Sequence, residues 1–379
     1  MTEHVRPPVA APAVTGTPSE TLPLPPFPVE TPCFVILEDA VLHNLRQTAR
    51  GAGGIGRLMP HIKTHRAPWL ITAMLAEGVR AFKAATPAEV EIAAAAGAPL
   101  VVWAYPTVNP LAIARVASAA RAHPSVRIEA LVDSPEGLAA WRSELAKTPA
   151  ANLGLRLDLD PGLGRTGVAI APSAYELASA IHAAGLFAGW HAYDGHIQNP
   201  DRQQRIDRVT ELGGRIRDLI AGGRERGLAD DLIAAGSYSF DLWPSDLARW
   251  VSPGSWTYSS SQHDVDLADV GWQVAGYVLA TVLSVRDGTA TLDAGSKAIS
   301  PDIPLADRFR GPGPIRLMKE EHVVIATDSL SVGQQVPLIP RHGCTAAYLY
   351  DRALVRLRDG SWQYRAQLGA SRQGPAAAE

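Results

Sequence analysis

From residue 33 to about 255, short apolar runs alternate with alanine-rich stretches whose apolar positions recur at helical spacing. The runs are RLMPHI, VRAFKA, LVVWAY, VRIEALVD, NLGLRLDL, LFAGWHAYD, DLIAAG and ARWVSP. Between them lie helix patterns such as 87-PAEVEIAAAAGA-98, with proline in its first turn and glycine near its end, and 201-DRQQRIDRVTELGGRIRDLIAGGRERG-227. Eight strands alternating with helices predict a parallel (β/α)8 barrel of the TIM type, an α/β fold. A further strand, 33-CFVILE-38, precedes the eight and is grouped here with the barrel, giving a barrel domain over residues 31–264.

Past about residue 265 the pattern changes. The segments 274-VAGYVLATVLSVRDGTATLDAG-295, 322-HVVIATD-328 and 346-AAYLYDRALVRLRDGSWQYRAQ-367 are β-branched or alternating, with RDG turns placed as in hairpins. They predict a smaller all-β domain over residues 265–379. Residues 1–30 are rich in Pro, Ala and Thr and read as a disordered tail, not a signal peptide, because no basic start leads into an apolar core.

Composition narrows the function classes. A net charge of -3 without a basic run argues against nucleic acid as a partner. No apolar stretch approaches the roughly 20 residues that a membrane helix needs. The two cysteines, Cys33 and Cys344, are expected as reduced thiols in a cytoplasmic enzyme.

Lysine is scarce: only Lys63, Lys83, Lys147, Lys297 and Lys319 occur. Lys63 follows RLMPHI at the carboxyl end of a barrel strand, where this fold gathers its chemistry. Burial in a barrel mouth lowers a lysine pKa, and the neutral amine can form a Schiff base with a carbonyl compound. A surface lysine ending a strand is the other reading of the same position. Lys147 and Lys319 lie in solvated contexts, Lys297 in the β domain, and Lys83, also ending a strand, is the one rival.

PHIKTH resembles the lysine motif of fold-type III pyridoxal-phosphate enzymes, in the branch of D-threonine aldolases and eukaryotic-type D-serine dehydratases. The resemblance extends through 31-TPCFVILEDAVLHNL-45, 156-RLDLDPGLGRTGV-168, 191-HAYDGHIQ-198, 253-PGSWTYS-259, 292-LDAGSKAIS-300 and 339-IPRHGC-344, in that order. It implies an alanine-racemase-like barrel followed by a β domain, the arrangement the hydrophobic pattern gives independently. It also implies that Lys63 carries pyridoxal 5'-phosphate covalently.

That cofactor needs an anion site, a ring platform and partners for its phenolic oxygen and ring nitrogen. The resemblance puts the phosphate loop at Gly236-Ser237-Tyr238, where glycine permits close backbone approach and the hydroxyls add hydrogen bonds. Arg165 is implied beside the phenolic oxygen; a structural ion pair with Asp158 or Asp160 is its alternative. His191 and Tyr193 alternate along GWHAYDG and so share a face. Their place in the family implies the ring or the substrate, and Tyr258 is implied at the phosphate or the cavity wall.

His342 and Cys344 are two apart in what reads as a strand, a spacing that would put both on one face. Imidazole nitrogen and thiolate sulfur favour zinc among divalent metals. An HxC pair alone does not define a metal site, but this one matches the metal motif of the resembled family. The β domain is then expected to fold back over the barrel mouth.

A metal facing a cofactor-bound D-β-hydroxy amino acid permits dehydration to a 2-oxo acid and ammonia, or retro-aldol cleavage to glycine and an aldehyde. Thr64 and Cys344 lean the resemblance toward the dehydratase, with D-serine or 3-hydroxy-D-aspartate as substrate. Arg66 and Arg341 are candidate partners for a second carboxylate. A racemase and a non-catalytic cofactor carrier are the more distant readings. The family resemblance suggests a homodimer.

Overall fold

The computed structural model describes residues 22–372. Seven strands, Ala81–Ala84, Leu100–Trp103, Arg127–Val132, Leu153–Asp160, Phe187–Ala192, Leu232–Ala234 and Trp250–Val251, pair in parallel in chain order. Residues 58–61 complete the ring, because Leu58 bridges Val251 on one side and His61 bridges Lys83 on the other. The eight apolar runs are thus the eight barrel strands. They read as near-continuous apolar runs because helices cover the outer face of the ring while side chains fill its inside.

Local sequence sets where the helices begin. Pro68–Ala76, Pro87–Ala95, Pro110–Ala122 and Pro135–Lys147 each start on proline, whose missing N–H is one of those a helix leaves unpaired. Thr86, Asn109 and Ser134 cap three of them by accepting first-turn backbone N–H bonds. The strand floor is held by Arg156, fully buried, which bonds the Glu129 carboxylate of the neighbouring strand and lies 2.7 Å from Asp231 Oδ1.

The second layer is a nine-stranded sheet. Its longest strand, Gly276–Arg286, pairs antiparallel with Thr289–Leu292 and with Gln335–Pro340. The two RDG turns join Gly276–Arg286 to Thr289–Leu292 and Arg352–Arg356 to Trp362–Ala366, with Gly288 and Gly360 at positive φ. Both hairpins lie where the pattern put them.

Two features differ from the sequence reading. The strand Cys33–Leu37 does not join the barrel: it lies in the C-terminal sheet, antiparallel to Gly276–Arg286 and parallel to Arg352–Arg356. Its run of buried apolar residues fits an interior strand of either sheet, so pattern alone could not choose. The helix Glu38–Gly51 then carries the chain to the barrel, fixed by Asn44, which donates to the Trp256 and Gln273 carbonyls and accepts from the Gln273 N–H. Residues 22–30, expected within the tail, lie against the folded body: Leu22 and Val29 pack on the core and Tyr277 Oη donates to the Pro23 carbonyl. The rest of the expected tail, residues 1–21, lies outside the described residues, as do residues 373–379. Among the described residues, no helix is long and apolar enough to cross a membrane.

The barrel floor yields a stability test. Gly189 has φ +132°, and an added Cβ would lie 2.2 Å from the Asp231 carbonyl oxygen and 2.8 Å from Arg156 Nη1. Gly189→Ala is expected to cost about 3 kcal/mol or more, from strain and overpacking together. Gly56→Ala meets nothing within 4 Å and should change stability by no more than about 0.5 kcal/mol. Urea unfolding of both variants checks the contrast.

Candidate active site

The strand at 58–61 ends in a tight turn, Ile62–Thr64, that presents Lys63 to the barrel mouth. Lys63 is exposed, whereas its neighbours Ile62 and Thr64 are buried. Two cavities meet there, one of 490 Å³ and one of 340 Å³, sharing Lys63, Ala85 and Tyr193 as lining residues.

Lys63 therefore opens onto the site, but the burial expected of it belongs to Lys83. The Lys83 side chain is 3% exposed, donates to Ser252 Oγ at 2.8 Å and lies 5.5 Å over the Tyr193 ring. Burial, followed by the charge of Lys63, pulls its pKa down to about 7. A strand that alternates inward and outward put Lys83 inside, while the turn after Pro60 swung Lys63 outward.

The smaller cavity collects Arg165, His191 and Tyr193 as the sequence proposed. The Arg165 guanidinium lies 4.9 Å over the Tyr193 ring. Asp158 and Asp160 are engaged elsewhere, so the structural ion pair considered for Arg165 does not form: Asp158 meets His191 Nδ1 at 2.7 Å and accepts from Thr166, and Asp160 accepts backbone N–H bonds from Gly162 and Gly164. His191 is buried, and burial holds it neutral with a pKa near 4. Its Nε2 has no hydrogen-bond partner among the described residues.

The larger cavity contains Tyr238, Ser255, Ser260, His342 and Cys344. The Tyr238 hydroxyl donates to Asp266 at 2.6 Å and accepts from Gln262. Gly236 and Ser237 are not on the cavity wall. The Gly236 N–H donates to Ser239 Oγ, an added Cβ would lie 3.1 Å from the Tyr193 ring, and Ser237 Oγ accepts from the Ser255 N–H. Tyr258 is fully buried, edge-on to Phe34, with its hydroxyl unpaired among the described residues. Burial and the Cys344 charge push its pKa up.

His342 and Cys344 reach the same cavity by a different local structure from the one expected. His342 precedes the short helix Gly343–Ala347 in extended conformation, and Cys344 sits in its first turn. The two side chains nonetheless act on each other electrostatically. Burial works against charge on both, yet the Cys344 contact and then the Asp302 carboxylate raise His342 to about 9. For Cys344, burial pushes the thiol up, but His342 foremost, with Thr64 and the charge of Lys63, lowers it to about 7. Cys344 Sγ lies 3.2 Å from Thr64 Oγ1, beside Lys63, so the β domain does close over the barrel mouth.

Asp302 escaped the sequence reading. Its carboxylate meets His342 Nδ1 and Thr345 Oγ1, each at 2.6 Å, which fixes the imidazole so that its other nitrogen is left for a ligand. It stands 40 residues before His342 in no recognisable motif. Arg66, suggested for a second carboxylate, lines the larger cavity but is already engaged within the protein. It pairs with buried Glu89 at 3.0 Å, donates to the Gly369 and Ser371 carbonyls and lies 5.2 Å over the Tyr348 ring. Arg341 is not on the wall of either cavity.

The residues suit the groups that the resemblance implies. An open amine, an unpaired buried imidazole, an arginine over an aromatic ring and a wall of hydroxyls together suit pyridoxal phosphate. For a metal the described residues contain no cluster of three or more His, Cys, Asp or Glu ligands. His342 and Cys344 fit it only as a two-ligand site with positions left for small molecules, backed by Asp302.

Residues 36–262 match the family model described as alanine racemase, N-terminal domain. The chain belongs to that family. Behind it, residues 275–356 match a putative serine dehydratase domain, which places the chain among fold-type III pyridoxal-phosphate enzymes as the motifs implied. Two curated relatives are 3-hydroxy-D-aspartate aldolases of Paracoccus denitrificans. One, from strain Pd 1222, is 27% identical over 339 residues, and the other is 29% identical over 342; each match covers 83% of this chain and 85% of the relative. Among solved structures, the D-threonine aldolase of Filomicrobium marinum superposes with a TM-score of 0.80 at 25% identity, covering 89% of this chain and 95% of its own. The D-threo-3-hydroxyaspartate dehydratase of Delftia sp. HT23 shares the fold, with a TM-score of 0.78 at 20% identity over 90% of this chain and 98% of its own.

Arg66→Met is expected to cost about 3–5 kcal/mol in denaturant unfolding, because it strands the buried Glu89 charge. Adding Glu89→Gln to that variant should recover part of the loss. An equal loss in single and double variants would refute the pairing as the cause.

Proposed function

We propose that this protein is a pyridoxal-phosphate- and metal-dependent lyase of D-β-hydroxy amino acids, and specifically a dehydratase that converts D-serine or 3-hydroxy-D-aspartate to a 2-oxo acid and ammonia. One observation carries the reading: the Lys63 amine and the His342–Cys344 pair face the same cavity from the two domains, joined by the Thr64–Cys344 contact.

Pyridoxal phosphate, when bound, supplies the electron sink that lets the substrate Cα lose a proton. A divalent cation at His342 and Cys344, zinc by the nature of its donors, would supply a Lewis acid for the β-oxygen. Lys63 Nζ takes the Cα proton and returns one to the product. His342, oriented by Asp302, and Cys344 face the β-hydroxyl side of the cavity. Tyr193 walls the substrate on the Lys63 side, and Ser255 and Ser260 offer hydroxyls to an anionic group. The residues that separate the dehydratase pattern from the aldolase pattern, Thr64 and Cys344, touch each other, which supports their acting as one unit.

Retro-aldol cleavage is the second reading, and the curated relatives named as aldolases favour it. It needs a base for the β-hydroxyl. His263, buried on the larger cavity and held neutral near pKa 4 chiefly by burial, is the candidate.

The test is product analysis on D-serine, D-threonine and the 3-hydroxy-D-aspartates, with and without chelator. A 2-oxo acid with ammonia, lost on chelation and restored by zinc, is the expected result. Glycine with an aldehyde hands the function to the aldolase reading, and indifference to chelation refutes the metal. Lys63→Ala is expected to be colourless; a retained visible band would move the attachment to Lys83. Asp302→Asn should weaken metal binding about 10- to 100-fold while the protein stays folded, measured by competition with a chromophoric chelator.

A further inference from the structure

The smaller cavity carries a surplus of positive charge. Lys63, Lys83 and Arg165 all line it, and no Asp or Glu does. Lys83 is the buried member, and among the described residues it has no ion-pair partner. The groups facing it are known from every neighbouring element. Lys63 and His61 come from residues 58–64, Asp158 from Leu153–Asp160 and Arg165 from the loop after it, and His191 from Phe187–Ala192 with Asp194 just beyond. Tyr193 offers a ring face and Ser252, directly after Trp250–Val251, a hydroxyl. The two carboxylates among them make their hydrogen bonds elsewhere, Asp158 to His191 and Thr166 and Asp194 to the Trp243 indole at 2.9 Å. Two acids against Lys63, Lys83 and Arg165 leave a surplus of positive charge around a buried amine, which favours an anion.

The chemistry of pyridoxal phosphate supplies one. Its aldehyde carbon is flanked on the ring by the phenolic oxygen on one side and the phosphate-bearing arm on the other. An amine that takes the aldehyde therefore has these two anionic groups pointing in opposite directions. Lys63 stands where two cavities meet: the larger adds the hydroxyls of Thr86, Ser255 and Ser260 and the Glu89 acid to its cations, and the smaller has Lys63, Lys83 and Arg165 without an acid in its wall. Resting on the cofactor reading above, we infer that Lys83 is a cofactor-binding residue that, with Arg165, receives the anionic ring oxygen in the smaller cavity, so that the phosphate points toward Ser255 and Ser260 in the larger one. The Ser252 hydroxyl holds Lys83 in place: it accepts from Nζ and passes its own proton toward the Ala234 and Ala235 carbonyls. Because free Lys83 loses its proton near pH 7, binding the anion at higher pH requires proton uptake, and affinity falls as pH rises.

The experiment measures equilibrium binding of pyridoxal phosphate and of 3-O-methylpyridoxal phosphate, whose ring oxygen cannot be anionic, to metal-free apoprotein. The proteins compared are wild type, Lys83→Met and Lys83→Arg. Wild type is expected to prefer the unmethylated cofactor by about tenfold or more at pH 7, the scale of one charge-assisted hydrogen bond. That preference should shrink in Lys83→Met and persist in Lys83→Arg. The same preference in wild type and Lys83→Met overturns the inference. Should the Met variant not fold, the wild-type preference must decline between pH 6 and 9, and a flat course overturns it equally. Failure of wild type to bind pyridoxal phosphate at all refutes the cofactor reading itself, a distinct result.

Discussion

A single sulfur–hydroxyl contact, Cys344 Sγ against Thr64 Oγ1, marks the constraint on which the site depends. Thr64 belongs to the turn that ends the first barrel strand, and Cys344 to a short helix some 280 positions later. Neither domain alone brings both an amine and a thiol–imidazole pair to the cavity. The barrel supplies Lys63, Lys83, Arg165 and His191, and the sheet supplies His342, Cys344 and Asp302. Chemistry that needs a proton acceptor at one carbon and an electrophile at the next is met by two surfaces pressed together.

Electrostatics divides that shared space. On the larger cavity two of the charged groups are paired, His342 with Asp302 and Arg66 with Glu89. In the smaller cavity positive groups face each other across Tyr193 without an acid. A ligand whose charge is spread over two ends would be oriented by this asymmetry before any covalent step, which is the economy of a preformed site.

The barrel was legible because its strands are buried on both faces and its helices open on proline and a capping side chain, so local sequence carries the period and the boundaries. Lys63, Arg165, His191, Tyr193, His342 and Cys344 were legible as motif residues, and the fold brings all six to the two cavities. What pattern could not supply was partner choice. CFVIL says buried strand but not which sheet. HGC says two close ligands but not that the chain turns into a helix between them. Lys83 shows the same limit: a lysine between Phe82 and Ala84 gives no local sign that its amine is inside, because that depends on the ring closing around it. Arg66 shows it from the other side, since its partners at Glu89, Gly369 and Ser371 are distant in sequence.

The strand Cys33–Leu37 has a consequence for how the molecule is made. Its neighbours in the sheet are Gly276–Arg286 and Arg352–Arg356, so the segment stays apolar and unpaired until strands far downstream of the whole barrel have been made. The barrel strands can associate earlier, in the order in which they emerge. A polypeptide cut before residue 342 would lack the thiol–imidazole pair altogether, and without Arg352–Arg356 the strand Cys33–Leu37 would lie at an open edge of the sheet.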